Sequence, residues 1–188
     1  MAKRQLKPAV GLRPVPVTLV TCVDGEGRAN IITLAWVGVV CSIPPMLSIA
    51  VRPERFSYDI IRNGGEFVVN LPSVDLIWAT DYCGTRSGRD EDKFAALGLT
   101  RAPASEVKPP LIGECPINIE CVVRHQLSLG SHDLFIGEVV MLHADESALD
   151  EAGNVSAARA RLISYDQPEY WSLGGKVGRH GYSRPPRV

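Results

Sequence analysis

Residues Ala29 to Val51 carry no charge at all, a run long enough to cross a bilayer as one helix. The run also holds Pro44-Pro45, with Asn30, Thr33, Ser42 and Ser48 scattered on both sides. In lipid those breaks and polar groups would go unsatisfied. Two buried strands meeting at a Pro-Pro turn account for the run better, so a membrane span is not expected.

The flanking sequence extends the strand pattern. Val17–Val23 is β-branched and partly alternating, Asp24-Gly25-Glu26-Gly27 has turn chemistry, and Ala29–Ala35 resumes the pattern, which predicts a hairpin. Trp36–Cys41 and Met46–Val51 are further apolar runs of strand length. After Arg52-Pro53 the period becomes helical, with Ser57 as a candidate cap and Gly64-Gly65 as the stop. Glu66–Asn70 then reads as a strand and Val74–Tyr82 as a helix. Cys83–Asp90 reads as a polar loop whose Asp90 caps a helix through Leu97, and Pro103–Pro110 as irregular. Ile117–Leu127 and Leu134–Leu142 are two long strands across a Gly130–Asp133 turn. A turn at Asp150–Asn154, a short strand at Leu162–Tyr165 and a Gly-rich aromatic end at Tyr170–Tyr182 complete the chain. Short strands at near-regular spacing with few helices predict a small antiparallel barrel with helices appended.

With 188 residues the size prior favours one domain, residues 1–188, with a core at about 14–166 and a C-terminal tail at 167–188. Twenty Lys and Arg against 21 Asp and Glu leave a formal charge of −1, so no global field draws the chain to nucleic acid or an anionic membrane. Five cysteines without a C-x-x-C pair fit a reducing compartment, which predicts a cytoplasmic protein. Local signatures of P-loop, α/β-hydrolase and zincin chemistry are missing from the sequence. Cys121, His125 and His132 match no common zinc spacing, so no metal is expected. Gly174–Gly178 opens no βαβ unit and reads as tail, and Cys22 and Cys83 read as packing thiols.

The junction Arg52-Pro53-Glu54-Arg55-Phe56-Ser57-Tyr58-Asp59 is the most informative segment. A phosphate there would meet free backbone N–H groups, the positive end of a helix, a serine hydroxyl and an arginine fork from Arg52 or Arg55. An ordinary helix start with solvated arginines fits the same residues, and spacing alone leaves both readings open.

Several blocks together carry a resemblance: Asn30–Trp36, Pro44-Pro45, Val51–Ile61, Gly65–Leu71, Asp81–Gly84, Ser87–Asp90, Asp92-Lys93-Phe94 and Leu129–Asp133. In joint spacing, from about Pro14 to Tyr182, they closely resemble the flavoredoxin branch of the flavin reductase family. The resemblance implies a mainly β fold: an antiparallel, Greek-key-like split β-barrel with a few short helices, which binds FMN non-covalently and forms a homodimer. It implies that Asn30, Thr33, Ala35, Trp36, Arg52, Ser57, Tyr58, Lys93, His132 and Tyr165 serve the cofactor. No side chain is assigned a catalytic role, because the flavin carries the chemistry. A cation near the ring, Lys93 or protonated His132, would favour the reduced flavin. The implied activity moves reducing equivalents from NAD(P)H, a transient co-substrate, or from a redox partner protein to free flavin, a ferric complex or a partner protein. The alternative is a non-catalytic FMN electron carrier with no nicotinamide site.

Overall fold

A computed structural model describes residues 1–184 of the 188. In chain order the strands are β1 Val15–Pro16, β2 Thr18–Val23, β3 Ala29–Leu34, β4 Val37–Ser42, β5 Pro45–Val51 and β6 Glu66–Leu71. They continue as β7 Arg101–Ala102, β8 Leu111–Ile112, β9 Ile117–Ser128, β10 Asp133–Ala144, β11 Ile163–Asp166 and β12 Glu169–Ser172. The helices are α1 Phe56–Gly64, α2 Ile77–Thr85 and α3 Lys93–Leu97. The uncharged stretch is therefore three strands, because the chain breaks at Ala35-Trp36 as well as at the proline pair. No helix among the described residues is long and apolar enough to cross a membrane.

Seven strands form one antiparallel sheet in the order β3-β2-β6-β9-β10-β5-β4. Its two edges, β3 and β4, are consecutive in the chain and separated by only two residues. A seven-strand sheet can meet that constraint only by rolling up until its edges face each other. Among the described residues no ladder joins β3 to β4, so the barrel is split along that line. The implied split barrel is the fold observed.

β2 and β3 are covered on both faces. Val20, Cys22, Ile32 and Leu34 point into the barrel, where they meet Leu47, Ile49, Phe67, Val69 and Phe135, and Tyr58 and Ile61 of α1 cover that cluster. Leu19 and Ile31 point outward against Cys83, Phe94, Ile112 and Cys115. This double burial explains why the two strands read as nearly continuous apolar runs. α1 ends at Gly65, whose φ of 68° is left-handed and whose N–H bonds Ile61 O, as the glycine pair predicts.

The appended helices differ from expectation at their ends. Val74–Leu76 is a single 3-10 turn, and α2 then runs to Thr85, so Cys83–Thr85 is helical rather than loop. Asp92, not Asp90, caps α3, accepting the N–H groups of Phe94 at 3.1 Å and Ala95 at 3.3 Å. A five-residue helix offers too little periodicity to choose between two nearby acids.

The irregular segment expected at Pro103–Pro110 lies on the outer face of β6 and β9 and takes its hydrogen bonds from side chains of the sheet. Glu120 accepts the N–H groups of Ser105, Glu106 and Val107, and Glu66 accepts that of Lys108. Thr21 donates to Pro110 O, and Asn70 accepts from Ile112 N. A segment without a ladder partner must satisfy its backbone in this way.

Candidate functional site

The strand order brings together residues far apart in sequence. Because β10, β5 and β4 are neighbours, His132 just before β10, Arg52 just after β5 and Trp36 just before β4 arrive at one end of the sheet. Trp36 and His132 stack there, with ring centroids 6.1 Å apart and planes 7° from parallel. α1 starts at the same end. Across the split, Asn30 of β3 donates through Nδ2 to Ser57 Oγ at 2.8 Å.

These groups line an open cleft of about 560 Å³ along the split, within the size range of ligand sites. Nine of the ten expected residues line it: Asn30, Thr33, Ala35, Trp36, Arg52, Ser57, Lys93, His132 and Tyr165. Tyr58 does not, and its expected place is corrected. Successive helical residues point about 100° apart, so Ser57 faces the cleft while Tyr58 turns to the barrel. There the Tyr58 hydroxyl donates to Asp133 Oδ2 at 2.6 Å, and Gln126 Nε2 donates to the same oxygen at 2.8 Å. The bond ties the helix that carries Ser57 to the turn that carries His132.

Several expected roles change in detail. Ser57 is not the cap: Arg55 is the N-cap, without a side-chain bond, and Ser57 lies inside the first turn. Accepting the Asn30 N–H leaves the Ser57 hydroxyl its own proton to donate. Trp36 is a rim residue, 44% exposed. Lys93 is only 3% exposed. Its Nζ donates to Ile31 O and Cys83 O, both at 2.8 Å, pinning β3 to α2 beneath the cleft. Burial lowers its pKa. Burial, and after it Arg52, hold His132 below its ordinary value, so near neutral pH the imidazole is uncharged. Burial pushes Cys22 up to about 12 and Cys83 to about 11, which keeps both protonated at neutral pH.

The cleft has a wall that motif reading did not assign. The last turn of α2 and the loop after it run antiparallel to β3: a Cβ on Gly84 would touch Thr33 at 3.3 Å, and one on Gly88 would collide with Asn30 Oδ1 at 2.0 Å. This close approach carries Arg86, Ser87 and Arg89 into the cleft lining. Arg89 Nη1 donates to Glu54 O at 3.2 Å and its guanidinium lies 5.5 Å from the Phe56 ring centre. On the opposite rim Tyr165 packs against Tyr170 at 5.3 Å, and the Tyr170 hydroxyl donates to Asp81 Oδ1 at 3.2 Å. Burial and Asp81 push the Tyr170 phenol up to about 12.

The arginines reveal what this cleft is short of. Eleven lie between Arg13 and Arg161, and eight of them pair with a carboxylate. Arg55, Arg86 and Arg89 have no carboxylate within 4.0 Å among the described residues, and all three line the cleft. Arg55 and Arg89 stand at the first turn of α1, whose free N–H groups add partial positive charge. The cleft thus gathers arginines that no carboxylate pairs, together with stacked and packed aromatic rings.

Comparison with known proteins gives the cleft a family. Residues 10–167 match the family model described as "Flavin reductase like domain". The chain belongs to this family. Among flavin reductase like structures, flavoredoxin of Desulfovibrio vulgaris (Miyazaki F) is similar at 33% identity and a TM-score of 0.91, over 97% of this chain and 99% of that one. Flavoredoxin from Methanosarcina acetivorans is similar at 30% identity and a TM-score of 0.89, over 97% of each chain. An uncharacterized protein of Pyrococcus abyssi is 33% identical over 165 residues, 87% of this chain and 94% of its own.

Proposed function

We propose that the cleft binds FMN non-covalently and that the protein is a flavoredoxin-type oxidoreductase, taking reducing equivalents from NAD(P)H or a redox protein. The carrying observation is the pair of unpaired arginines, Arg55 and Arg89, at the first turn of α1. A phosphate dianion matches that deficit. Ser57 and Arg52 complete the phosphate end. Asn30, Thr33, Ala35, Trp36, His132 and Tyr165 cover the ring end, and Lys93 supplies positive charge beneath it. Bound flavin supplies the hydride and electron chemistry. The protein's residues bind, orient and shield it.

The protein is expected to purify yellow and to release free FMN on acid precipitation. Finding FAD, or flavin that stays with the pellet, overturns the assignment. Anaerobic mixing with NADH and NADPH then tests the reductant: rapid bleaching supports a reductase, and no bleaching by either overturns the nicotinamide step in favour of a carrier. Ser57→Ala removes a donor to the phosphate and should weaken FMN binding by roughly tenfold in a fluorescence titration while riboflavin binding is unchanged. Equal effects on both flavins would move the phosphate away from α1.

The same reading includes a homodimer. Val39 and Val40 of β4, Ile43 beyond it, and Leu127 and Leu129 at the end of the β9–β10 hairpin are exposed apolar residues, with Ile43 at 91%. An apolar face of this kind supports a second copy there. Light scattering should report twice the chain mass, and a single chain mass with flavin bound overturns it. Five free thiols support a cytoplasmic location.

A further inference from the structure

One phosphomonoester accounts for two of the three unpaired arginines. Its charge of about −2 is met by Arg55 and Arg89 together with the first turn of α1. Both are tied to that turn, Arg55 as its N-cap and Arg89 through Glu54 O and the Phe56 ring. Arg86 belongs to another element. It follows the last residue of α2, and its guanidinium lies over the Tyr82 ring at 5.7 Å. The Tyr82 hydroxyl donates to Glu91 Oε2 at 2.8 Å, which fixes the ring as a platform. Every carboxylate-free arginine between Arg13 and Arg161 other than the two at α1 is thus Arg86, and it lines the same cleft.

The two carboxylates of the lining do not neutralise it. Glu54 pairs with Arg52 at 3.4 Å, and Asp81 accepts the Tyr170 hydroxyl. Lys93 Nζ is directed at two carbonyls and pairs with neither carboxylate. With a flavin phosphate in place the cleft would therefore keep a cation with no carboxylate within 4.0 Å, over the face of an aromatic ring.

We propose that Arg86, backed by Tyr82, forms a second phosphoryl subsite in the FMN-loaded cleft, for a nucleotide co-substrate rather than for the cofactor. The inference rests on the FMN reading above. The phosphoryl group belongs to the pyrophosphate of a dinucleotide or to a 2′-phosphate on its adenosine.

The test uses binding, not turnover. FMN affinity is measured first, by fluorescence quenching, for the wild type and Arg86→Gln. FMN-loaded protein is then titrated by calorimetry at low salt with ADP and with 2′,5′-ADP. We expect Arg86→Gln to hold FMN as the wild type does and to bind at least one probe about tenfold more weakly. A preference of the wild type for 2′,5′-ADP assigns the subsite to the 2′-phosphate, and a preference for ADP, which alone of the two carries a pyrophosphate, assigns it to the pyrophosphate. The proposal is overturned if neither probe binds the loaded wild type, if both proteins bind the probes equally, or if Arg86→Gln weakens FMN but not riboflavin. A wild type that binds no FMN overturns the FMN reading and this proposal together. A wild type that binds FMN but neither probe overturns this proposal alone.

Discussion

Gly88→Ala is expected to weaken FMN binding by about a hundredfold or more, on the scale of about 3 kcal/mol for a forced backbone shift in a packed site. The new Cβ would lie 2.0 Å from Asn30 Oδ1, 2.6 Å from Asn30 Cγ and 2.8 Å from Phe56 Cδ1. A flexible side chain could swing aside, but Asn30 is buried and its amide is bonded to Ser57 Oγ. The loop must lift instead, and it takes Arg89 away from Glu54 O and from the α1 first turn. Gly25→Ala is the control, because nothing lies within 4 Å of its Cβ, and it should change nothing. A fluorescence titration with FMN and riboflavin reads the result, with circular dichroism to show that the fold persists. The loss should be larger for FMN than for riboflavin. An alanine variant with wild-type FMN affinity would show that this loop is no part of the phosphate cradle.

The strands were legible in the sequence because β-branched runs and turn residues act locally. The turn between β2 and β3 is the plainest case: the Asp24 carboxylate accepts the N–H groups of Glu26 at 3.0 Å and Arg28 at 2.9 Å. Strand order was not legible from pattern alone. Trp36 and His132 lie nearly a hundred positions apart, and only the neighbourhood of β4, β5 and β10 stacks them. Residues of the junction from Arg52 to Asp59 were placed at the right end of the right helix, yet facing was lost there. Ser57 and Tyr58 look equivalent in sequence, while one helical step sends the first to the cleft and the second to Asp133. Arg86 and Arg89 carried the weakest signal, since an arginine in a polar loop is solvated by default. What marks them is the missing carboxylate, and an ion-pair census exists only in three dimensions.

The largest expected effect on stability lies away from the cleft, at Glu120. Its side chain is fully buried on the outer face of β9, among the N–H groups of Ser105, Glu106 and Val107, with His143 Nε2 at 2.5 Å. Burial opposes the charge, but the Ser105 N–H, His143 and the N–H groups of Glu106 and Val107 outweigh it and hold the carboxyl below its ordinary value. Glu120→Gln keeps the volume and turns one acceptor into a donor that faces donors. Leaving those groups unmatched should cost about 3 kcal/mol, or roughly 6–12 °C in Tm for a chain of this size. The pH dependence follows from the sign of the shift. A carboxyl whose folded-state pKa is depressed contributes stability above its unfolded value, near pH 4.3, and loses that contribution as pH falls through the folded value. Wild-type stability should therefore decline below about pH 4.5, and that part of the decline should be missing from Glu120→Gln. Urea unfolding at pH 7, 5, 4 and 3 measures both effects. FMN affinity should be unchanged at pH 7, because Glu120 does not line the cleft. Two parallel stability curves that differ by the same amount at every pH would show that the carboxylate's charge is not what holds the Ser105–Val107 segment to the sheet.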